Sequence, residues 1–129
     1  MEERVRVVCG AVVRGGRVLA ARRGPGMRDA GAWELPGGKV ERGEDDAAAL
    51  RRELREARSI DVRVGAALGV SVVGRVELVG YVCVTDETPC ASEHDALRWL
   101  AADQLDKVAW APADVPLLGA VARALRERA

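Results

Sequence analysis

The segment from Gly38 to Ile60 constrains this chain more than any other. Gly38 is followed after five residues by Glu44, and after seven more by Arg52-Glu53-Leu54-Arg55-Glu56-Ala57-Arg58-Ser59-Ile60. Glycines at 37 and 38 form a turn where backbone carbonyls can be approached without a Cβ in the way. Asp45 suits a helix N-cap, and Glu44 and Asp46 suit the positive end of a helix dipole. The spacing then predicts a helix to about Arg58, with Leu50, Leu54 and Ala57 at i, i+4 and i+7 as its buried stripe. Glu53 and Glu56 are three apart and share one helical face, while Arg52 is one turn before Glu56 and can orient its carboxylate. A glycine turn leading into a helix with clustered acids is a way to hold a divalent cation against a diphosphate. Magnesium needs only one or two carboxylates when substrate phosphates and waters complete its shell. Taken alone, Glu53 and Glu56 read instead as a solvated face with Arg52 and Arg55 as partners.

Bulk properties narrow the setting. A length of 129 residues suits one domain, 1–129, with a real core. Aromatics are 3% of the chain and Phe is absent, so Val, Leu, Ala and Ile must build that core. The formal net charge is zero, which argues against a broad grip on polymeric nucleic acid or an anionic membrane. Cys9, Cys83 and Cys90 are odd in number and lack CxxC spacing, as expected of free thiols in a reducing cytoplasm. No apolar run is long enough to span a bilayer, and the acidic start Met1-Glu2-Glu3 does not resemble a signal peptide.

The remaining elements follow from local pattern. Val5 to Val13 and Arg17 to Ala21 read as strands around Gly15-Gly16. Residues Gly24 to Gly31 read as a loop, and Trp33 to Leu35 as a short strand before Pro36-Gly37-Gly38. Val62 to Val73 and Val76 to Val84 read as two strands around Gly74-Arg75, with Gly80 a candidate bulge. Ala96 to Leu100 is a last strand, Asp103 to Leu105 a short turn, and Val115 to Arg126 a closing amphipathic helix. A mixed β-sheet between helices, an α/β/α sandwich, is the expected fold class.

With these residues in place, the chain resembles the Nudix hydrolases over nearly all its length. Their box reads Gly-x5-Glu-x7-Arg-Glu-U-x-Glu-Glu-x-Gly-U with U apolar, and it is matched at Gly38, Glu44, Arg52, Glu53, Leu54, Glu56 and Ile60. It is not matched at Ala57, where the family has a glutamate, or at Ser59, where it has a glycine. The resemblance implies a Nudix α/β/α sandwich and Mg²⁺- or Mn²⁺-dependent cleavage of nucleoside diphosphates linked to another group. It implies Glu53 and Glu56 as metal ligands, with the Gly37 carbonyl as a further contact. Glu44, like Gly38, is implied in support of the site, as a supporting or metal-linked acid, and Arg52 as the residue that orients a glutamate. Ala57 puts metal number and rate in question.

Segments outside the box are similar to the MutT-like branch. They are Ala21-Arg22-Arg23, Trp33 through Glu41, Glu93 through Trp99, and Ala111 through Leu118; the last two look like its CTP pyrophosphohydrolases. On that resemblance Arg23 contacts phosphate or base, Glu93 is a general base or extra metal ligand, and Asp114 reads the base. Asp114 also reads as an ordinary N-cap, and Arg23 and Glu93 as surface residues. Lys39 follows the glycine pair and can meet phosphate as a point charge. His94 carries no assigned role, and Trp33, Trp99 and Trp110 are expected in the core. The expectation is a nucleoside triphosphate pyrophosphohydrolase acting on a small nucleotide, as monomer or homodimer. Its rivals are another nucleotide-linked substrate, and a nucleotide-binding protein whose catalysis is lost with the glutamate at 57.

Overall fold

A computed structural model of the chain describes residues 3–91 and 96–128. The strands are β1 (Val5–Arg14), β2 (Arg17–Arg22), β3 (Trp33–Glu34), β4 (Gly37–Lys39), β5 (Arg63–Val73), β6 (Val76–Val84) and β7 (Leu97–Leu100). The helices are α1 (Asp46–Arg58) and α2 (Leu118–Glu127), with 3-10 turns over Ala102–Lys107 and Val115–Leu117. All seven strands join one mixed sheet in the order β3-β2-β1-β6-β5, with β4 also pairing β1 and β7 pairing β2. The central pair, β1 and β6, is parallel from Val5–Val76 to Val13–Val84. Parallel strands need both faces covered, and here each face has its own core. Val8, Val12 and Leu19 meet Leu50, Leu54 and Ile60 on the α1 side. Cys9, Ala11 and Val13 meet Leu117, Val121 and Leu125 on the α2 side. This is the α/β/α sandwich expected.

Local chemistry explains the element ends. Gly15 and Gly16 have φ of 59° and 75°, as a tight hairpin between β1 and β2 requires. Asp45 caps α1 through its side chain, which accepts from Ala48 N–H at 2.8 Å. At the other end Ser59 sits in the left-handed region with φ 58°. Its N–H reaches Arg55 O and the next N–H reaches Leu54 O, as in a Schellman motif. Ile60 then turns back into the core, 1% exposed.

Four expectations are corrected. Gly37 and Gly38 belong to strand β4, whose register pairs Gly37 with Cys9 and Gly38 with Val8. Ala57 is exposed, and Arg58 takes the buried place after Leu50 and Leu54. The reason is that the last turn of α1 is covered from the Arg58 side, where Cys90 N–H donates to Arg58 O. The strand irregularity lies in β5, between Val64 and Gly69, because Gly80 stays in register with Cys9 in the rigid parallel pair. The closing helix starts at Leu118, after a 3-10 turn over Val115–Leu117. Among the described residues, no helix is long and apolar enough to cross a membrane.

Candidate functional site

Strand β4 is the spine of the site. An added Cβ at Gly37 would lie 1.9 Å from Val8 O, so only glycine lets this strand lie against β1. An added Cβ at Gly38 would lie 2.3 Å from the carboxyl carbon of Glu53. The space a side chain would fill at Gly38 is therefore occupied by the Glu53 carboxylate, delivered from α1.

Arg52 organises the acids around it. Its Nε donates to Glu44 Oε2 at 2.7 Å and its Nη2 to Glu44 Oε1 at 2.9 Å. Nη2 also reaches Lys39 O at 3.0 Å, tying α1 to β4. Nη1 donates to Glu53 Oε1 at 3.0 Å and lies 3.5 Å from Glu56 Oε2. Glu44 in turn accepts from Glu41 N–H at 3.0 Å. The guanidinium holds the Glu44 carboxyl down at a pKa of about 2, helped by that backbone bond. The same partners raise the pKa of Arg52 further. Glu53 is thus fixed in orientation, while Glu56 stands in solvent with its side chain 65% exposed.

Among the described residues no three His, Cys, Asp or Glu side chains stand together at metal-holding spacing. The donor set fits a hard cation that shares its shell with a phosphate-bearing ligand, because two carboxylates and a cradle free of Cβ are present. It does not fit an all-protein cage. Ala57 is open and lies one turn after Glu53 on α1.

On the α2 side of the sheet, β4 also lines a cleft of about 410 Å³. Its floor is Val7, Cys9 and Leu78; its rim carries Arg23, Arg28 and Lys39; Asp114 and Glu34 are its acids. Asp114 is 4% exposed and makes no capping bond to the turn that follows it. Instead its Oδ2 accepts from Leu35 N–H at 2.8 Å. The N-cap alternative is overturned, because the side chain points back across the chain into the cleft. Burial pushes its pKa up to about 7 against the pull of the Leu35 bond, and Glu34 adds to the rise.

Arg23 is less available than the sequence suggests. Its Nη1 pairs with Glu34 Oε2 at 2.5 Å and its Nε donates to Arg28 O at 2.5 Å. Lys39 is exposed on the rim, its carbonyl taken by Arg52. Glu93 and His94 lie outside the described residues. The three tryptophans pack against the two cores as expected and none lines the cleft. The structure therefore brings Gly37, Gly38, Glu44, Arg52, Glu53 and Glu56 into one network, and Arg23, Lys39 and Asp114 into one cleft. Sequence reasoning missed Glu34, Leu35 N–H and Cys9. Glu34 carried a signal, a lone acid between two apolar residues of a short strand. The backbone donor at Leu35 carried none.

Residues 3–121 match the NUDIX domain family. A Mycobacterium tuberculosis protein with the provisional name 8-oxo-dGTP diphosphatase 2 is 43% identical over 92% of this chain and 89% of its own length. The CTP pyrophosphohydrolase of Escherichia coli is 40% identical over 90% of each chain. The solution structure of the E. coli ORF135 protein superimposes with a TM-score of 0.78 at 35% identity, covering 98% of this chain and 93% of that one.

Proposed function

This chain is a member of the Nudix family of hydrolases, and from that premise we propose that it cleaves a nucleoside triphosphate to the monophosphate and pyrophosphate with Mg²⁺ or Mn²⁺. The observation that carries the reading is the double use of β4. One strand, Gly37–Lys39, both borders the base-sized cleft and receives the Glu53 carboxylate. A nucleotide whose base enters beside Asp114 would run its phosphates along β4 toward α1. The names of the two relatives support a triphosphate substrate.

The residues divide the work by chemistry. Arg52, clamped by Glu44, holds Glu53 in one orientation toward Gly38, and Glu56 supplies a second, solvent-exposed carboxylate. A divalent cation bound there would neutralise phosphate charge and lower the pKa of an attacking water. Glu53 is the proposed ligand and proton acceptor, with Glu93 a second candidate base. The Gly37 carbonyl is the proposed backbone contact. Lys39 supplies positive charge to the phosphates at the rim. Arg23 holds Glu34 at the cleft wall and can turn to a phosphate only by exchanging that partner.

Asp114 reads the base in this scheme. Ionised, it accepts from an exocyclic amine such as that of cytosine or adenine; protonated, its other oxygen donates to a base carbonyl or ring nitrogen. A pyrophosphate-release assay on a panel of ordinary and oxidised triphosphates, with Mg²⁺, Mn²⁺ and a chelator, tests the proposal. Pyrophosphate and monophosphate in equal amounts, lost with chelator, are expected. Orthophosphate as first product, or activity indifferent to chelator, would refute it.

A further inference from the structure

The cleft beside β4 is walled without an aromatic ring. Among the described residues that line it none is Trp or Tyr, and Phe is absent from the chain. A planar base gains most from apolar cover on both faces, because hydrogen bonds such as those from Asp114 lie in its plane and hold only its edge. The floor, Val7, Cys9 and Leu78, offers one such face. The other must come from the mouth. Of the five large hydrophobic side chains exposed among the described residues, two line this cleft: Met27 and Val73, each 45% exposed. They come from elements on opposite sides of β1, Met27 from the loop after β2 and Val73 from β5.

Met27 is held in place by its own turn. In Gly24-Pro25-Gly26-Met27 the Met27 N–H donates to Gly24 O at 3.1 Å, with Pro25 at the second position, where its fixed φ favours the turn. Met27 Sδ accepts from Gly24 N–H at 3.4 Å, so the sulphur is tied to the same turn. The next residue anchors the loop to the cleft wall, since Arg28 O accepts from Arg23 Nε and Arg23 Nη1 pairs with Glu34. A thioether suits this place. It is unbranched and polarizable, and it makes favourable contacts with aromatic rings at about 5 Å. Of the two sulphur-bearing residues that line the cleft among those described, Met27 is the exposed one. Cys9 lies on the floor, 2% exposed, and burial raises its pKa, so it stays a thiol and not the reactive thiolate.

We propose that Met27 is the face on which the base stacks, and that oxidation of its sulphur by hydrogen peroxide or an organic hydroperoxide loosens the hold on the base, an inference that rests on the cleft taking a nucleotide base. In the oxidation a lone pair of Sδ attacks one peroxide oxygen and the O–O bond breaks. The sulphur gains that oxygen and gives up two electrons. The proton of the transferred oxygen joins the leaving oxygen, which departs as water or, from an organic hydroperoxide, as an alcohol. The sulfoxide is polar and chiral where the thioether was apolar. Covered by a base, its oxygen would lose water without a partner to replace it. The phosphates, which run along β4 toward α1 in the scheme above, are not covered by Met27, so the loss falls on the base alone.

Calorimetric binding of the adenine, guanine, cytosine and uracil nucleoside monophosphates, and of pyrophosphate as a base-free probe, all with Mg²⁺, tests this before and after peroxide. A Cys90→Ser background removes the exposed thiol. Peptide masses locate the added oxygen, the chain's other methionine being Met1. The monophosphate that binds tightest should bind about tenfold more weakly once Met27 is oxidised, the upper range for a lost sulphur–ring contact. Pyrophosphate binding should not change. Met27→Gln, polar and of similar length, should show the weakened binding without peroxide, with circular dichroism preserved. Met27→Leu, whatever its starting affinity, should not respond to peroxide. Methionine sulfoxide reductases for both epimers should restore binding in the oxidised protein. Equal binding by oxidised and reduced protein, or an equal loss for pyrophosphate, would overturn the proposal and leave the hydrolase standing. A peroxide response that persists in Met27→Leu would place it on another residue and overturn the proposal too. An untreated protein that binds no monophosphate would overturn it together with the base cleft on which it rests.

Discussion

Arg52 grips both carboxylate oxygens of Glu44, through Nε at 2.7 Å and Nη2 at 2.9 Å, and so has Nη1 left to steer Glu53. The pair sets a planar fork on a planar carboxylate, the geometry in which arginine differs most from lysine.

That grip should show in acid. Glu44 has its pKa held at about 2 in the fold, against an ordinary 4.5. A depressed carboxylate contributes stability that is present above about 4.5 and is lost as pH falls through about 2. Glu44→Gln should therefore flatten the dependence of Tm on pH across that window. Arg52→Lys should weaken apparent Mg²⁺ affinity about tenfold and lower Tm more at pH 7 than near pH 2. An unaltered acid slope in Glu44→Gln would mean the pair does not persist in solution.

Gly38 and Glu53 test the cradle from its two sides. Glu53→Gln should cut turnover about a hundredfold or more by removing a charged ligand or base. Gly38→Ala should displace the same carboxylate, since its Cβ would fall 2.3 Å from the Glu53 carboxyl carbon. A loss of at least tenfold in kcat is expected there, with circular dichroism preserved. Full activity in Gly38→Ala would show that Glu53 acts from another position.

Asp114 is raised to about 7 in the fold from an ordinary 3.8. The sign is the reverse of Glu44. Stability is unaffected below 3.8, falls as pH rises toward 7, and stays low above it. Asp114→Asn keeps an oxygen for Leu35 N–H and has no charge to bury. It should raise stability by about 1–3 kcal/mol at pH 8 and hardly at all at pH 4. Base preference gives the functional arm: the wild type should shift toward amine-bearing bases as pH rises through 7, and Asp114→Asn should not shift. A shift that survives in Asp114→Asn assigns the titration to another group.

Ala57 is open to solvent one turn after Glu53. Ala57→Glu should tighten Mg²⁺ binding and raise turnover. It should also lower metal-free stability by about 0.2–0.5 kcal/mol for each like-charge neighbour on the helix. Isothermal titration with Mg²⁺ and a melting curve in chelator measure both. Unchanged metal affinity would show that a group outside the described residues, Glu93 first, completes the shell.

Much of this was legible in the residues themselves. Alternation and glycine turns mark the hairpins, Asp45 marks the start of α1, and the spacing from Gly38 to Ile60 places Arg52, Glu53 and Glu56 on one helix. These are local relations, decided within a few residues by backbone geometry, so a linear text carries them. Contacts between distant segments were not legible. That Glu53 lies in the gap at Gly38 depends on α1 packing back over β1. That Asp114 bonds Leu35 rather than capping its own turn depends on a segment 79 residues away. Ala57 fell open and Arg58 buried because a loop, not the sheet, covers the last turn of the helix. Sequence by itself determined which chemical groups each element offers. Only the tertiary structure decided which of them meet and which lose their water, because burial and pairing depend on what packs against a group from elsewhere in the chain.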